Sequence, residues 1–276
     1  MHLVSRLVFL LLCTTPLWAQ IPYSIDGTSG PPTDEETFYL ELINRARANP
    51  TAEGERLRTT TDTTVLAAVD FFDTDLNLMA QEMSALPPAP PIAFNAKLTN
   101  AARAHSLDQF THQFQGHVGS NGSDGVSRVT AAGYSFQTFG ENVYATASSV
   151  FYGHAGFEID WGNNDIGGMQ AGRGHRLIIH KPDIREVGIG VVLGTNGTVG
   201  PQVVTQDFGT QLNATPLLTG VAYYDLSGDN FYTPGEGLGG INVTVSNATF
   251  SAVTSPSGAF TVPLPGDGIY NVRFSG

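Results

Sequence analysis

Glu41-Leu42-Ile43-Asn44-Arg45-Ala46-Arg47 decides how the first half of the chain is read. With Tyr39 ahead of it, Leu42, Ile43 and Ala46 recur at the i, i+3, i+4, i+7 spacing of one helix face. Upstream, Thr33 and Glu36 have the spacing of a capping box, in which each side chain satisfies the other residue's backbone amide. Downstream, Asn49-Pro50 ends the helix, because a residue before proline disfavours helical backbone. Residues 64–85 predict a second helix, which Pro87 to Pro91 break. Leu98, Ala101, Ala102 and His105 then repeat the helical stripe. Residues 117–126 are mostly Gly, Ser, Asn and Asp and read as a loop. Between 183 and 209, Val187, Ile189 and Val191 alternate with Gly188 and Gly190, the pattern of a strand. Val203-Val204-Thr205-Gln206-Asp207-Phe208 reads as its partner. Helices mixed with antiparallel strands place this part of the chain in the α+β class.

The whole chain has 276 residues, enough for one to two domains. Its 32 Gly, 16 Pro and only 14% charged residues favour loop and β structure over long surface helices. The formal net charge of −12 argues against nucleic acid and anionic membrane as partners, since both are polyanions. Residues 1–19 read as a signal peptide: Arg6 supplies the positive start, Leu7 to Cys13 the apolar run, and Leu17-Trp18-Ala19 a cleavage site after Ala19. That run is too short to span a bilayer, so no transmembrane segment is expected in the mature chain. The destination is the cell exterior or a periplasm. Cleavage removes one of the 13 basic residues and no acid from the 25 acidic ones, giving −13. It also removes Cys13, the single cysteine, so no disulfide is available to the secreted form.

Residues 20–32 are polar and rich in Gly and Pro, a leader arm extending to Thr33. A boundary falls at Leu212-Asn213-Ala214-Thr215-Pro216, after which the pattern is all β. Ile241, Val243 and Val245 alternate with Asn242, Thr244 and Ser246. Ser255-Pro256-Ser257-Gly258 is a turn, and Phe260 to Leu264 and Ile269 to Phe274 are further strands. The expected organisation is leader 20–33, first domain 34–212, linker 213–217 and a β module 218–276. The module resembles the B-like repeat of bacterial surface adhesins, which implies a small immunoglobulin-like β-sandwich, short by a strand.

Six of the seven histidines fall between His105 and His180, around Gly140-Glu141-Asn142. A histidine-dense stretch beside a carboxylate is where metal ligation or proton transfer is expected. Together with the opening Leu42-Ile43-Asn44 helix, Pro91 to Leu98 and Gly174-His175-Arg176, this pattern resembles the CAP superfamily in its secreted bacterial branch. The resemblance implies a three-layer α/β/α sandwich and a cavity of two histidines and two acids. Carried over residue by residue, these are His117 (in Phe114-Gln115-Gly116-His117-Val118-Gly119), Glu141 and His175. The second acid is open between Asp165 and Asp160, on either side of Trp161. Two imidazoles and a carboxylate are ligands for zinc; without metal the same groups would serve as an acid/base pair near neutral pH. The spacings, 24 and 34 residues, form no compact metal motif. Against that reading, Glu141 and Asn142 would simply bond backbone around a cleft. His105 is expected as a satisfied core histidine, His112 and His154 as structural residues near the cleft, and His180 at the surface. Ser106 near His105 lacks a nucleophile elbow.

Asp225-Leu226-Ser227-Gly228-Asp229-Asn230-Phe231-Tyr232-Thr233-Pro234-Gly235-Glu236 matches a calcium loop. Asp225, Ser227, Asp229 and Glu236 supply side-chain oxygens at positions 1, 3, 5 and 12, and Phe231 a carbonyl at position 7. Asn230 stands where glycine is usual, and asparagine tolerates the left-handed backbone needed there. The bland alternative is an acidic turn. Three functions remain open. One is a secreted binding protein for a divalent metal, a small ligand or a cell-envelope component. A second is a metal-assisted hydrolase of peptide or envelope polymer, using His117, Glu141 and His175. The third is an adhesion module with a vestigial cleft.

Overall fold

A computed structural model describes residues 19–163 and 166–276. The stretch read as a signal peptide, apart from Ala19, and Asp165 lie outside the described residues. A short strand β1 (Ile21–Pro22) precedes helix α1 (Asp34–Ala48), which opens on the expected box: the Thr33 hydroxyl accepts from Glu36 N, and the Glu36 carboxylate from Thr33 N. Asn49 does end α1, but Pro50 opens a second helix at once, α2 (Pro50–Arg58). Proline costs nothing in a first helical turn, and the Asn49 side chain caps Ala52 N. The single helix expected over 64–85 is two, α3 (Thr63–Phe72) and α4 (Leu76–Ser84). Asp73 turns left-handed at φ 51° and Asp75 caps the second helix, so two short acidic residues break what the apolar pattern joins.

Strand β2 (Ala93–Phe94) leads through the Asn95 cap into α5 (Ala96–His112), the long helix of the first half. Next come α6 (Gly125–Ala131), β3 (Phe136–Ala147), α7 (Val150–Ile159), α8 (Gly174–Ile179), β4 (Glu186–Leu193) and β5 (Gln202–Gln211). The sheet order is β2-β4-β5-β3, with β2 parallel to β4 and the other pairings antiparallel, so β3 is an edge strand. Helices cover both faces. Val187 and Ile189 of β4 and Val204 and Phe208 of β5 join Tyr39, Leu42 and Ile43 of α1 and Phe157 of α7 in one core. On the other face a Cβ on Gly188 or Gly190 would land on the α5 backbone at Leu98, Thr99, Ala102 and Arg103. The two glycines thus let α5 lie directly on the sheet. The result is a mixed α/β arrangement with a sheet between two helical layers.

After α8 the described residues form strands without helices. β6 (Leu217–Val221), β7 (Asn242–Val245), β8 (Phe250–Val253), β9 (Ala259–Pro263) and β10 (Val272–Ser275) make two sheets, β1-β8-β7-β10 and β6-β9. Val243, Val245, Ala252, Phe260 and Val262 form the apolar cluster between them. The leader is not a free arm. Ile21 and Pro22 pair in parallel with Phe250 and Ser251, and Gln20 Nε2 donates to Val245 O at 2.6 Å. Farther on, Arg103 of α5 donates to Gly30 O and Pro31 O at 2.9 and 2.7 Å. Thr37 Oγ1 donates to Ser257 Oγ at 2.8 Å, tying α1 to the β module.

Candidate functional site

Alternation along β3 puts Glu141 on the α5 face and Asn142 on the other. His117, on the loop after α5, brings Nδ1 to 2.9 Å from Glu141 Oε1, while its own side chain is 57% exposed. Arg128 of α6 donates to Glu141 Oε2 at 2.5 Å and to His117 O at 3.0 Å, so one guanidinium ties the loop to the strand. Gly125 lets α6 approach this closely, since a Cβ there would meet the Phe139 ring and Glu141 Oε2. Burial pushes Glu141 up, but the bonds from His117 and Arg128 outweigh it and hold the carboxyl below its ordinary range.

Asp207 stands directly opposite Glu141 in the β3–β5 register, so the two acids share the α5 face. Asp207 is fully buried and faces the Glu141 carboxyl, and no N–H or hydroxyl among the described residues donates to either of its oxygens. Burial first, and then the charge of Glu141, push its pKa far up, with Arg128 pulling weakly the other way. The two facing carboxyls therefore resist ionising together, and Asp207 is the one pushed towards its neutral form. The sequence reading missed both Arg128 and Asp207. The only sequence signal for Asp207 is an acid inside an apolar strand.

His175, in the first turn of α8, belongs to a different constellation. Its backbone N–H donates to Asp160 Oδ2 at 3.0 Å, and its Nδ1 lies 2.7 Å from Asp160 Oδ1. Asp160 ends α7 in a left-handed conformation, φ 61°, and its side chain is completely buried. Of the two acids left open beside Trp161, Asp160 is the one that touches a histidine; Asp165 lies outside the described residues. His175 packs against Phe157 and its carbonyl accepts from Asn142 Nδ2, on the face of β3 away from Glu141. The structure thus joins His117 to Glu141 and His175 to Asp160, on opposite faces of one edge strand.

The remaining histidines among the described residues make structural contacts. His105 is buried with Nε2 at 2.8 Å from Gly116 O. His112 is exposed and pairs with Asp108. His154 is not at the cleft but fully buried, 3.0 Å from Glu53, which also accepts from Arg45 and Arg56. His180, expected at the surface, is buried. It follows the last turn of α8 and turns inward to Glu158, 2.9 Å away.

A cavity of about 240 Å³ opens around the free edge of β3, lined from both faces by Val143 and Tyr144. Phe157, Trp161 and His175 contribute rings to its lining, and Gln115, Asn163 and Gln170 contribute amides. Trp161 Nε1 donates to Tyr144 Oη at 3.3 Å, which fixes the two rings against each other. His117 and Glu141 do not line this cavity.

Zinc needs three or four ligands at about 2 Å. Here a carboxylate holds Nδ1 of each histidine, Glu141 for His117 and Asp160 for His175, which leaves both Nε2 atoms open, but the two pairs lie on opposite faces of β3. No three His, Cys, Asp or Glu side chains gather in a metal-holding group among the described residues. The loop 225–236 presents a different donor set. Asp225 accepts from the amides of Gly228, Asp229 and Asn230, and Glu236 from those of Leu226, Ser227 and Thr233. Asn230 is left-handed, φ 60°. The donors are all oxygen, the type calcium takes, and Asp225 Oδ2 and Glu236 Oε2, which accept one bond each, keep a lone pair beyond these bonds. Phe231 packs under the Arg45 guanidinium and Tyr232 Oη donates to Asp34 at 3.0 Å, so the loop rests on α1. Among the described residues no helix is long and apolar enough to cross a membrane.

None of the curated proteins matches the chain. It is similar to the 1.5 Å crystal structure of an extracellular protein containing an SCP domain from Bacillus anthracis str. Ames, with 18% identity and a TM-score of 0.35. That likeness covers 53% of this chain and 40% of the other, so the chain spans less than half of that protein's length. The model of the CAP family, described as the cysteine-rich secretory protein family, matches residues 40–208. That match covers more than half of the 276 residues, and the chain belongs to the CAP, or cysteine-rich secretory protein, family.

Proposed function

We propose that this chain is a secreted binding protein of the CAP family, whose cleft at the free edge of β3 takes a small ligand. The observation that carries this reading is the cavity of about 240 Å³ beside His175, lined by both aromatic rings and side-chain amides. Ligand sites are typically concave and apolar with a few placed polar groups. The acidic charge of the chain fits a neutral or cationic ligand better than an anionic one. In this reading residues 34–212 form the CAP domain and 218–276 an immunoglobulin-like spacer of the adhesin B-like kind. The packed sheets around Val243 and Phe260 support that assignment. Calcium in the loop from Asp225 to Glu236 would stiffen the spacer, with Asp225, Ser227, Asp229, Glu236 and the Phe231 carbonyl as its ligands.

An NMR fragment screen with labelled histidine and tryptophan side chains tests the cleft. The reading expects ligands that shift His175 and the Trp161 indole while leaving His117 in place. Ligands that cluster elsewhere, or none at all, would sink it. A second reading, hydrolysis, is favoured by one observation: Glu141 engages His117 through Nδ1, which leaves Nε2 of an exposed imidazole as a base. Peptide or envelope-polymer turnover lost in His117→Ala and kept in His175→Ala would favour that reading.

A further inference from the structure

We infer that the cavity at the free edge of β3 takes a neutral oligosaccharide; this rests on the cleft being the ligand site, as proposed above. The first observation is charge. None of the described residues lining the cavity is Lys, Arg, Asp or Glu, so neither an anion nor a cation meets a counter-charge there.

The second observation is the mixture of walls. Phe72, Tyr144 and Trp161 offer ring surface, and Gln115, Asn163 and Gln170 offer amides. An amide both donates and accepts, as a sugar hydroxyl does, while the C–H face of a pyranose suits an aromatic ring. Two of the amides are held in place. Gln115 Oε1 accepts from Ala145 N at 2.8 Å, and Gln170 Nε2 donates to Trp161 O at 3.2 Å. This leaves the Gln115 amide N–H groups as donors and the Gln170 carbonyl as an acceptor for a ligand. An acyl chain would strip water from these amides and return no hydrogen bond.

The third observation is length. A second, open hollow of about 320 Å³ shares Phe72, Gly162 and Asn163 with the first and continues to Asp73 and the exposed ring of Phe71. The groove therefore has room for more than one ring, with an aromatic platform beyond the cavity mouth.

The chain has two tryptophans, Trp18 and Trp161, so from Gln20 onward Trp161 is the sole tryptophan and its emission is read with selective indole excitation. The test titrates that chain with two neutral probes, chitotetraose and maltotetraose, and with sodium oleate. Trp161 emission and calorimetry are read in parallel. Asn163→Ala/Gln170→Ala is the matching variant, since both side chains are exposed; because Gln170 also donates to Trp161 O, its melting temperature and unliganded Trp161 emission are matched to the parent first. We expect at least one tetrasaccharide to bind and change the Trp161 emission. The double variant should weaken it by roughly ten-fold or more, as two lost hydrogen bonds require. Binding of neither tetrasaccharide, or equal affinity in the variant, overturns the inference. Oleate binding at Trp161 without saccharide binding overturns it too, but keeps the cleft as a ligand site. Silence from all three probes, together with an unshifted His175 in the fragment screen, removes both readings.

Discussion

Asp207→Asn isolates the buried proton beneath Glu141. Asp207 is fully buried and its folded pKa lies well above that of an exposed aspartic acid, so the folded protein holds a proton that the unfolded chain releases. The sign follows from linkage: the folded state binds more protons, so this group's contribution is complete below the unfolded pKa of about 3.9 and is lost as pH rises towards the folded pKa. Each pH unit across which the folded chain keeps that proton costs about 1.4 kcal/mol, so two units cost about 2.7 kcal/mol. For a domain of this size that is a fall in Tm of roughly 5–10 °C. Asparagine has nearly the same shape and no proton to lose. The variant should therefore show a flatter dependence of Tm on pH than the parent as pH rises above about 4. Leaving its amide unpaired costs about 1–3 kcal/mol, but equally at every pH. The assay is thermal unfolding of both proteins at matched ionic strength across that range. Parallel curves, displaced but equally steep, would refute the reading of Asp207 as the carboxyl pushed towards its neutral form.

Glu53→Gln removes a buried carboxylate held by His154, Arg45 and Arg56. Burial alone would raise the Glu53 pKa, but the bonds from His154 and Arg45 drive it far down. Arg45 and Arg56 reach water, so the loss belongs at the low end for a broken buried pair, about 3 kcal/mol at neutral pH. Because that folded pKa is depressed, the parent's advantage should shrink as pH falls below about 4. Equal Tm values at neutral pH would refute the role given to this network. Gly188→Ala should cost about 3 kcal/mol or prevent folding, because its Cβ falls on the α5 backbone; a variant that melts with the parent would deny direct contact between α5 and β4. Chelation with EGTA should lower the melting temperature of the β module and increase protease cleavage around residue 230. An unchanged melt would argue for a plain acidic turn.

The parts of the fold that were legible in the sequence are local. Thr33 and Glu36 are three residues apart, and their capping box forms as read. Gly188 and Gly190 were legible as strand positions, but their reason, a helix lying on them, requires knowing that α5 crosses β4. The family pattern around Gly140-Glu141-Asn142 and Gly174-His175-Arg176 is matched by the family assignment over residues 40–208. What stayed hidden depends on distant partners. The leader reads as an arm because its partner strand is more than 200 residues away, and pairing over such a separation leaves no periodic trace. His180 reads as exposed beside Lys181-Pro182, yet Glu158 draws it inward. Asp207 becomes meaningful only through the register that sets it opposite Glu141. The division of the histidines into two pairs likewise depends on which face of β3 each side chain takes.

Calorimetric titration of residues 20–276 with zinc tests that division most directly. With His117 held by Glu141 and His175 by Asp160 on opposite faces, the account predicts no stoichiometric binding and the same trace from His117→Ala. One equivalent bound tightly, and lost in both His117→Ala and His175→Ala, would require the two imidazoles to converge on one ion and would contradict it.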